Sequence, residues 1–260
     1  MPEKGLITLL GTGGSAGVPM IGCHCSTCTS LTPYNKRLRP AALIDAKGKR
    51  LLLDAGPDVR EQLLRERVDH IDGLLLTHPH YDHIGGLDEL RVFFFKSQKE
   101  LPCLLSKTTH SEVQERYPYL FGGGRSKNYT ARFDFMPVKS GESAHFLGLD
   151  LGTLLFYQGG MEVTGYRLGS LAYVCDIHEY ESSLFDHLEG VEILILSALR
   201  ESPSHVHLSV DEAIAFAQRV GAKQTYFTHI AHELEHEKAS KKLPDGIQLG
   251  FDGLQIEFTL

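Results

Sequence analysis

The 260 residues, 42% apolar and 23% charged, are enough to bury a sizeable core and read as one soluble globular domain. A formal net charge of −7 without a long Lys/Arg run excludes broad electrostatic attraction to nucleic acid or anionic lipid. The opening MPEKGLITLLGTGG has too short an apolar run before its glycines for a signal peptide or membrane span, so the expected compartment is the cytoplasm.

In chain order, short apolar runs at residues 6–10, 41–46, 51–53 and 74–77 have strand length. Two of them are almost wholly apolar, as in a sheet covered on both faces. Residues 57–68 (PDVREQLLRERV) predict an amphipathic helix with Pro57 in its first turn and acids early, and a second helix is expected over 87–96. The stretch 108–140 is the least regular. Gly122, Gly123 and Gly124 stand together there, among aromatics and Arg116, Arg125 and Lys127; it reads either as a lid or insertion over a site or as a plain surface loop. Strand signals resume at 154–157, 162–168 and 171–175, the last two joined by a tight Gly169-Ser170 turn. A helix at 182–188, a buried strand at 191–197, a helix at 210–220 and a strand at 224–228 follow. Residues 247–260 hold two strand-like pieces around Phe251-Asp252-Gly253. No repeat or linker divides residues 1–260. The expectation is a single α/β domain, two mixed β-sheets packed face to face with helices outside, an αββα sandwich.

The chemistry is concentrated in Thr77-His78-Pro79-His80-Tyr81-Asp82-His83, which follows a buried run and precedes Gly85-Gly86. Four candidate ligands in six residues, His78, His80, Asp82 and His83, converge only if the loop folds back on itself. Imidazole nitrogen and carboxylate oxygen suit zinc, manganese and iron. Five cysteines in a reducing compartment argue against a disulfide framework. Three of them, Cys23, Cys25 and Cys28, form a CxCxxC at 22–28 that can place three thiolates around one tetrahedral zinc. Cys103 and Cys175 lie in apolar runs and read as small buried hydrophobes.

HxHxDH after a short strand resembles the signature of the metallo-β-lactamase superfamily. Other pieces appear in matching order: Leu53-Asp54-Ala55-Gly56, Tyr173-Val174-Cys175-Asp176 and Phe227-Thr228-His229. The resemblance implies a hydrolase with two divalent active-site cations, manganese or zinc, or iron. His78 and His80 would hold one, Asp82, His83 and His229 the other, with Asp176 between them and Asp54 supporting the ligands from behind. One departure stands out: Gln158 occupies the place where the superfamily supplies a third histidine to the first cation. That site is then weak, or prefers manganese or iron, or is empty, and His145 or His178 either substitutes or is an ordinary surface residue.

CxCxxC together with His232, three residues beyond His229, resembles the PhnP-type phosphoribosyl cyclic phosphodiesterases, with the PqqB proteins of cofactor biosynthesis as a neighbouring subgroup. That resemblance implies a structural zinc on Cys23, Cys25, Cys28 and His232. It also implies that His207, ahead of the 210–220 helix, contacts the scissile phosphate; the bland alternative is that His207 caps or packs the helix. The expected activity is hydrolysis of a small phosphodiester, a cyclic one among the candidates, by a cation-activated hydroxide, with His207 and Asp82 as the catalytic residues. The alternatives are a PqqB-like accessory or binding protein with a degenerate site, or a hydrolase of another ester class. A small-molecule substrate, no nucleic acid, no membrane and a homodimer complete the expectation.

Overall fold

Strands that read as unbroken apolar runs need cover on both faces, and the chain provides it in three layers of core. The computed structural model describes residues 3–121 and 129–260, so Gly122, Gly123, Gly124, Arg125 and Lys127 lie outside the described residues. The first half supplies strands β1 (Lys4–Gly11), β2 (Ala41–Ala46), β3 (Lys49–Leu53), β4 (Gly73–Leu75), β5 (Leu101–Ser106) and β6 (Phe133–Val138). The second half supplies β7 (Ser143–Phe146), β8 (Leu149–Gln158), β9 (Met161–Leu168), β10 (Leu171–Val174), β11 (Ile193–Ser197), β12 (Gln224–Thr228), β13 (Ile247–Leu249) and β14 (Gln255–Thr259). One sheet runs β14-β1-β2-β3-β4-β5-β6 and the other β13-β12-β11-β10-β9-β8-β7. Each is antiparallel on one side and parallel on the other, with β3 to β6 and β10 to β13 the parallel blocks. The two C-terminal pieces expected around Asp252 therefore belong to different sheets, since β13 pairs with β12 and β14 with β1.

Strand alternation sorts the apolar residues between layers. Along β3, Leu51 and Leu53 enter the core between the sheets with Ile7, Leu75, Leu151 and Tyr173, whereas Leu52 faces outward. The outer face of the first sheet is covered by helices α1 (Val59–Arg65), α3 (Arg91–Ser97) and α4 (Lys107–Arg116), through Val59, Leu63, Phe93 and Val113. The outer face of the second is covered by α5 (Leu184–Leu188) and α6 (Val210–Val220), through Leu184, Leu188, Ala213 and Phe216. Two short helices complete the set, α2 (Tyr81–Ile84) in the His/Asp motif and α7 (His236–Ser240). Cys103 and Cys175 are fully buried among apolar neighbours.

The 108–140 stretch carries regular structure on both sides of residues 122–128, which lie outside the described residues. Its described part is α4, a short 3-10 turn at Pro118–Phe121, and β6, which pairs in parallel with β5 at the sheet's edge. The helix was hidden because KTTHSEVQER buries only Thr109 and Val113 and so shows no apolar stripe; its start is set by the Ser106 hydroxyl, which accepts from the Thr109 N–H. Pro137 in β6 fits an edge position, where a missing donor costs little. The first expected helix is shorter than its pattern, and the 87–96 segment divides into a 3-10 turn at Leu87–Leu90 followed by α3.

Phe156 on β8 has no exposed surface, and Met136 on β6 is 39% exposed. Phe156→Ala is expected to cost about 3–5 kcal/mol in urea unfolding. Met136→Ala should stay within about 0.5 kcal/mol of the parent. Equal midpoints for the two variants would contradict this layering.

Candidate metal centre

The loop after β4 is shaped by one buried carboxylate. Asp54, just past the end of β3, accepts from the Thr77 N–H (2.9 Å), the Thr77 hydroxyl (2.8 Å) and the His83 ring at Nδ1 (2.7 Å). A carboxylate only accepts, so His83 carries its proton on Nδ1 and turns the Nε2 lone pair inward. The Thr77 hydroxyl, having given its hydrogen to Asp54, accepts from His78 Nδ1 at 2.9 Å, which leaves His78 Nε2 facing inward as well. Burial raises the Asp54 carboxyl, against the pull of His83 and Thr77. Burial also opposes charge on His83, but Asp54 and Asp176 outweigh it and hold that imidazole well above its ordinary range.

The glycines around this loop are steric requirements. A Cβ on Gly56 would lie 1.9 Å from the Asp82 carbonyl oxygen, and one on Gly86 would lie 2.2 Å from that of Gly56. The two segments are stitched by Ala55 N–H to His83 O (2.7 Å) and Gly86 N–H to Ala55 O (2.8 Å). Only glycine permits that approach.

The opposing sheet delivers the remaining donors from the ends of its parallel strands. Asp176 follows β10 and His229 follows β12; like Asp54, both adopt left-handed backbone (φ 63°, 54° and 63° for Asp176, His229 and Asp54). Non-glycine residues pay strain there, about 1–3 kcal/mol each, and surrounding bonds must hold them. The Asp176 N–H is held by Ser197 Oγ at 2.9 Å, and residue 230 bonds to Thr12 O (2.8 Å) and Gly14 N (3.2 Å).

The result is a buried cluster. One ligand atom each from Asp82, His83, Asp176 and His229 lies within 4.8 Å of the others. His83 Nε2 is 2.7 Å from Asp176 Oδ2 and 3.6 Å from Asp82 Oδ2; His229 Nε2 is 3.1 Å from Asp176 Oδ1 and 3.4 Å from Asp82 Oδ2. His78 Nε2 adjoins them, 3.3 Å from Asp176 Oδ2 and 3.2 Å from His80 Nδ1. Bonds of about 2.0–2.2 Å to a tetrahedral cation imply donor separations of about 3.3–3.5 Å, which most of these spacings approach. His83 Nε2 and both Asp176 oxygens are buried with no hydrogen-bond partner among the described residues. Buried atoms of this kind require a partner, and a divalent cation supplies it. The donor set fits.

A second group gathers Cys23, Cys25, Cys28 and His232. His232 Nδ1 lies 3.3 Å from Cys23 Sγ and 3.4 Å from Cys25 Sγ. The Cys28 backbone N–H, then the His232 ring, hold the Cys25 thiol down at about 6, while burial pushes Cys28 up to about 11. Crowded thiols behave this way: one ionises easily and the next resists, until a cation takes up the charge. Arg37 braces this corner from a fully buried position, donating from Nη1 to Ala231 O (3.2 Å) and from Nη2 to Leu234 O (2.9 Å). Its local bonds go to Tyr34 O and Asn35 Oδ1, but the two that brace this corner go to backbone carbonyls nearly two hundred residues away, which its sequence context does not mark.

The other expected residues fall as follows. His207 Nδ1 sits 3.3 Å from Asp176 Oδ1, and its ring stacks on His229 at 4.7 Å. It does not cap α6; Ser209 does, in a capping box with Glu212. Gln158 ends β8, buried, with Nε2 at 3.1 and 3.2 Å from the two His207 nitrogens. His145 pairs with exposed Asp150 and His178 lies beside Glu179, so neither enters the cluster. The cluster opens into a cavity of 340 Å³, lined also by Ser15, Met161 and Val206. No helix among the described residues is long and apolar enough to cross a membrane.

Known proteins resemble this chain to different extents. The profile described as beta-lactamase superfamily domain matches residues 49–230. The crystal structure of a new diphosphatase from the PhnP family superposes with a TM-score of 0.93 at 37% identity, covering 100% of this chain and 99% of that one. Zinc-bound PqqB from Methylobacterium extorquens gives 0.78 at 19% identity over 96% of this chain and 99% of that chain, a likeness of fold. An octanoyltransferase of Porphyromonas gingivalis is 33% identical over 253 residues, 95% of this chain; the chain spans 50% of that relative's length.

Asp54→Asn keeps the volume but loses the charge that orients His83. It is expected to weaken cation binding at the buried cluster about 10- to 100-fold in chelator competition; unchanged affinity would rule out the orienting role. Cys25→Ser should lower the melting temperature by more than about 5 °C and release one zinc by elemental analysis.

Proposed function

The chain belongs to the beta-lactamase superfamily, a family of metallo-β-lactamase-fold hydrolases, and from that premise we propose that it hydrolyses a small phosphodiester or diphosphate. Both substrates present a phosphorus carrying two bridging oxygens and one negative charge. The observation that carries the reading is the juxtaposition, in one 340 Å³ cavity, of Asp82, Asp176 and His229 with the non-cluster imidazole of His207. Full-length similarity to a PhnP-family diphosphatase supports it.

Asp82, His83, Asp176 and His229 would hold one zinc or manganese ion, and His78 and His80, sharing Asp176, a second. A zinc ion on Cys23, Cys25, Cys28 and His232 would be structural. The active-site cations supply a nucleophile from water at neutral pH and charge to balance the phosphoryl oxygens. The chain's own residues do the rest. Asp54 and Thr77 fix the rings of His83 and His78 so that no reorganisation is needed on binding. His207 Nδ1 faces Asp176 Oδ1 at 3.3 Å, and stacking on His229 at 4.7 Å sets the plane of that ring. His207 lines the cavity and can take a proton from the attacking water and return it to the departing oxygen.

The cavity size favours a small molecule over a folded polynucleotide, and the −7 charge offers no attraction to one. Acyl transfer, the activity named for the longer Porphyromonas relative, finds no thiol or amine nucleophile among the residues lining this cavity. An accessory role of the PqqB kind is the competing reading, and Gln158 is the observation in its favour.

The test is turnover of an aryl phosphodiester and of a dinucleoside diphosphate with added manganese or zinc. Asp82→Ala should abolish activity, and His207→Ala should lower kcat about 10²- to 10⁴-fold with the cations retained. Inactivity of the parent with every divalent ion would turn the case to the accessory role.

A further inference from the structure

The buried cluster provides four donors for one cation: Asp82, His83, Asp176 and His229. The neighbouring position has three, His78 Nε2, His80 Nδ1 and the shared Asp176. We infer that Gln158 completes this second position through its side-chain oxygen, making it a harder and more weakly held site than its neighbour, selective for manganese-like cations. The inference rests on the metallohydrolase reading above and deepens it.

The amide orientation follows from its partners. Gln158 Nε2 lies 3.2 and 3.1 Å from Nδ1 and Nε2 of His207, so the amide nitrogen is the end turned to that ring. With the nitrogen so engaged, Oε1 is directed elsewhere. It is buried and finds no hydrogen-bond partner among the described residues. His83 Nε2 and the two Asp176 oxygens, all cluster donors, are in the same condition. Gln158 lines the same cavity as His80 and Asp176, two of the three donors of the second position.

An amide oxygen changes the character of the position. Carbonyl and carboxylate oxygens suit manganese and magnesium, and imidazoles suit zinc. Exchanging an imidazole for an amide lowers affinity for zinc more than affinity for manganese. Gln158 also contacts His207 through Nε2. The two cations therefore load in order, with the Asp82–His83–Asp176–His229 position first and the Gln158 position last.

The experiment is cation binding to the full chain, read by elemental analysis and by manganese electron paramagnetic resonance, with zinc affinities from chelator competition. The parent should retain two zinc ions through desalting and take up a third cation more weakly. Gln158→Leu should weaken manganese at the third position at least about tenfold, with the two retained zinc ions and the melting temperature unchanged. Gln158→His should raise the zinc-to-manganese affinity ratio there at least about tenfold. A Gln158→Leu protein that binds the third cation as tightly as the parent overturns the assignment alone. A parent that retains only the zinc of the cysteine cluster overturns the metallohydrolase reading with it.

Discussion

Everything at this site depends on how the Asp176 carboxylate is kept ionised inside the protein. It is 1% exposed, and an isolated carboxylate there would protonate sooner than pay its desolvation. Four imidazoles surround it instead, His83, His229, His78 and His207, each with a nitrogen within 2.7–3.3 Å. Burial works against the charge, but His229 and His83 prevail and hold the group well below the usual carboxylate range. One anion thus organises both candidate cation positions and the imidazole proposed to move the proton.

The fold meets that demand from two directions. The first sheet brings the His/Asp loop and its supporting Asp54; the second brings Asp176 and His229. All lie just beyond parallel strands, where the chain leaves the sheet and side chains can turn into the groove between layers. Asp54, Asp176 and His229 accept left-handed backbone at these exits. Such strain persists because neighbouring strands and loops fix each position, and it buries ligand atoms in orientations set before any cation arrives.

The cysteine cluster extends the same logic to the periphery. His229 and His232 are three residues apart on one segment, so the cysteine cluster and the buried His/Asp cluster share a short length of backbone. Arg37 holds that backbone by its carbonyls, and Asp252 holds the facing loop by accepting from Thr12 and Leu38. A cation on the cysteines would fix where His229 begins its approach to Asp176.

Local features of the chain were legible without a structure. Apolar runs such as 51–53 and 191–197 announce strands covered on both faces, and HxHxDH and CxCxxC announce ligands, because covalent spacing already brings those side chains together. The resemblance of LDAG and of the segments ending in Asp176 and His229 extended this to distant ligands and to the layered fold. Other features had no local signal. The α4 helix lacks an apolar stripe and begins on a single serine cap. Arg37 acts mainly on backbone carbonyls, which any residue would offer. His207 could have been a cap, and the structure turned it to Asp176 because Ser209 already closes the helix. What Gln158 faces was undecidable from its neighbours in sequence, since its partner comes from another loop. Sequence alone determined which donors exist and which lie within a turn of one another. Only tertiary closure of the two sheets decided which distant donors meet, because their hydrogen bonds and separations arise from packing between segments and not from chain spacing.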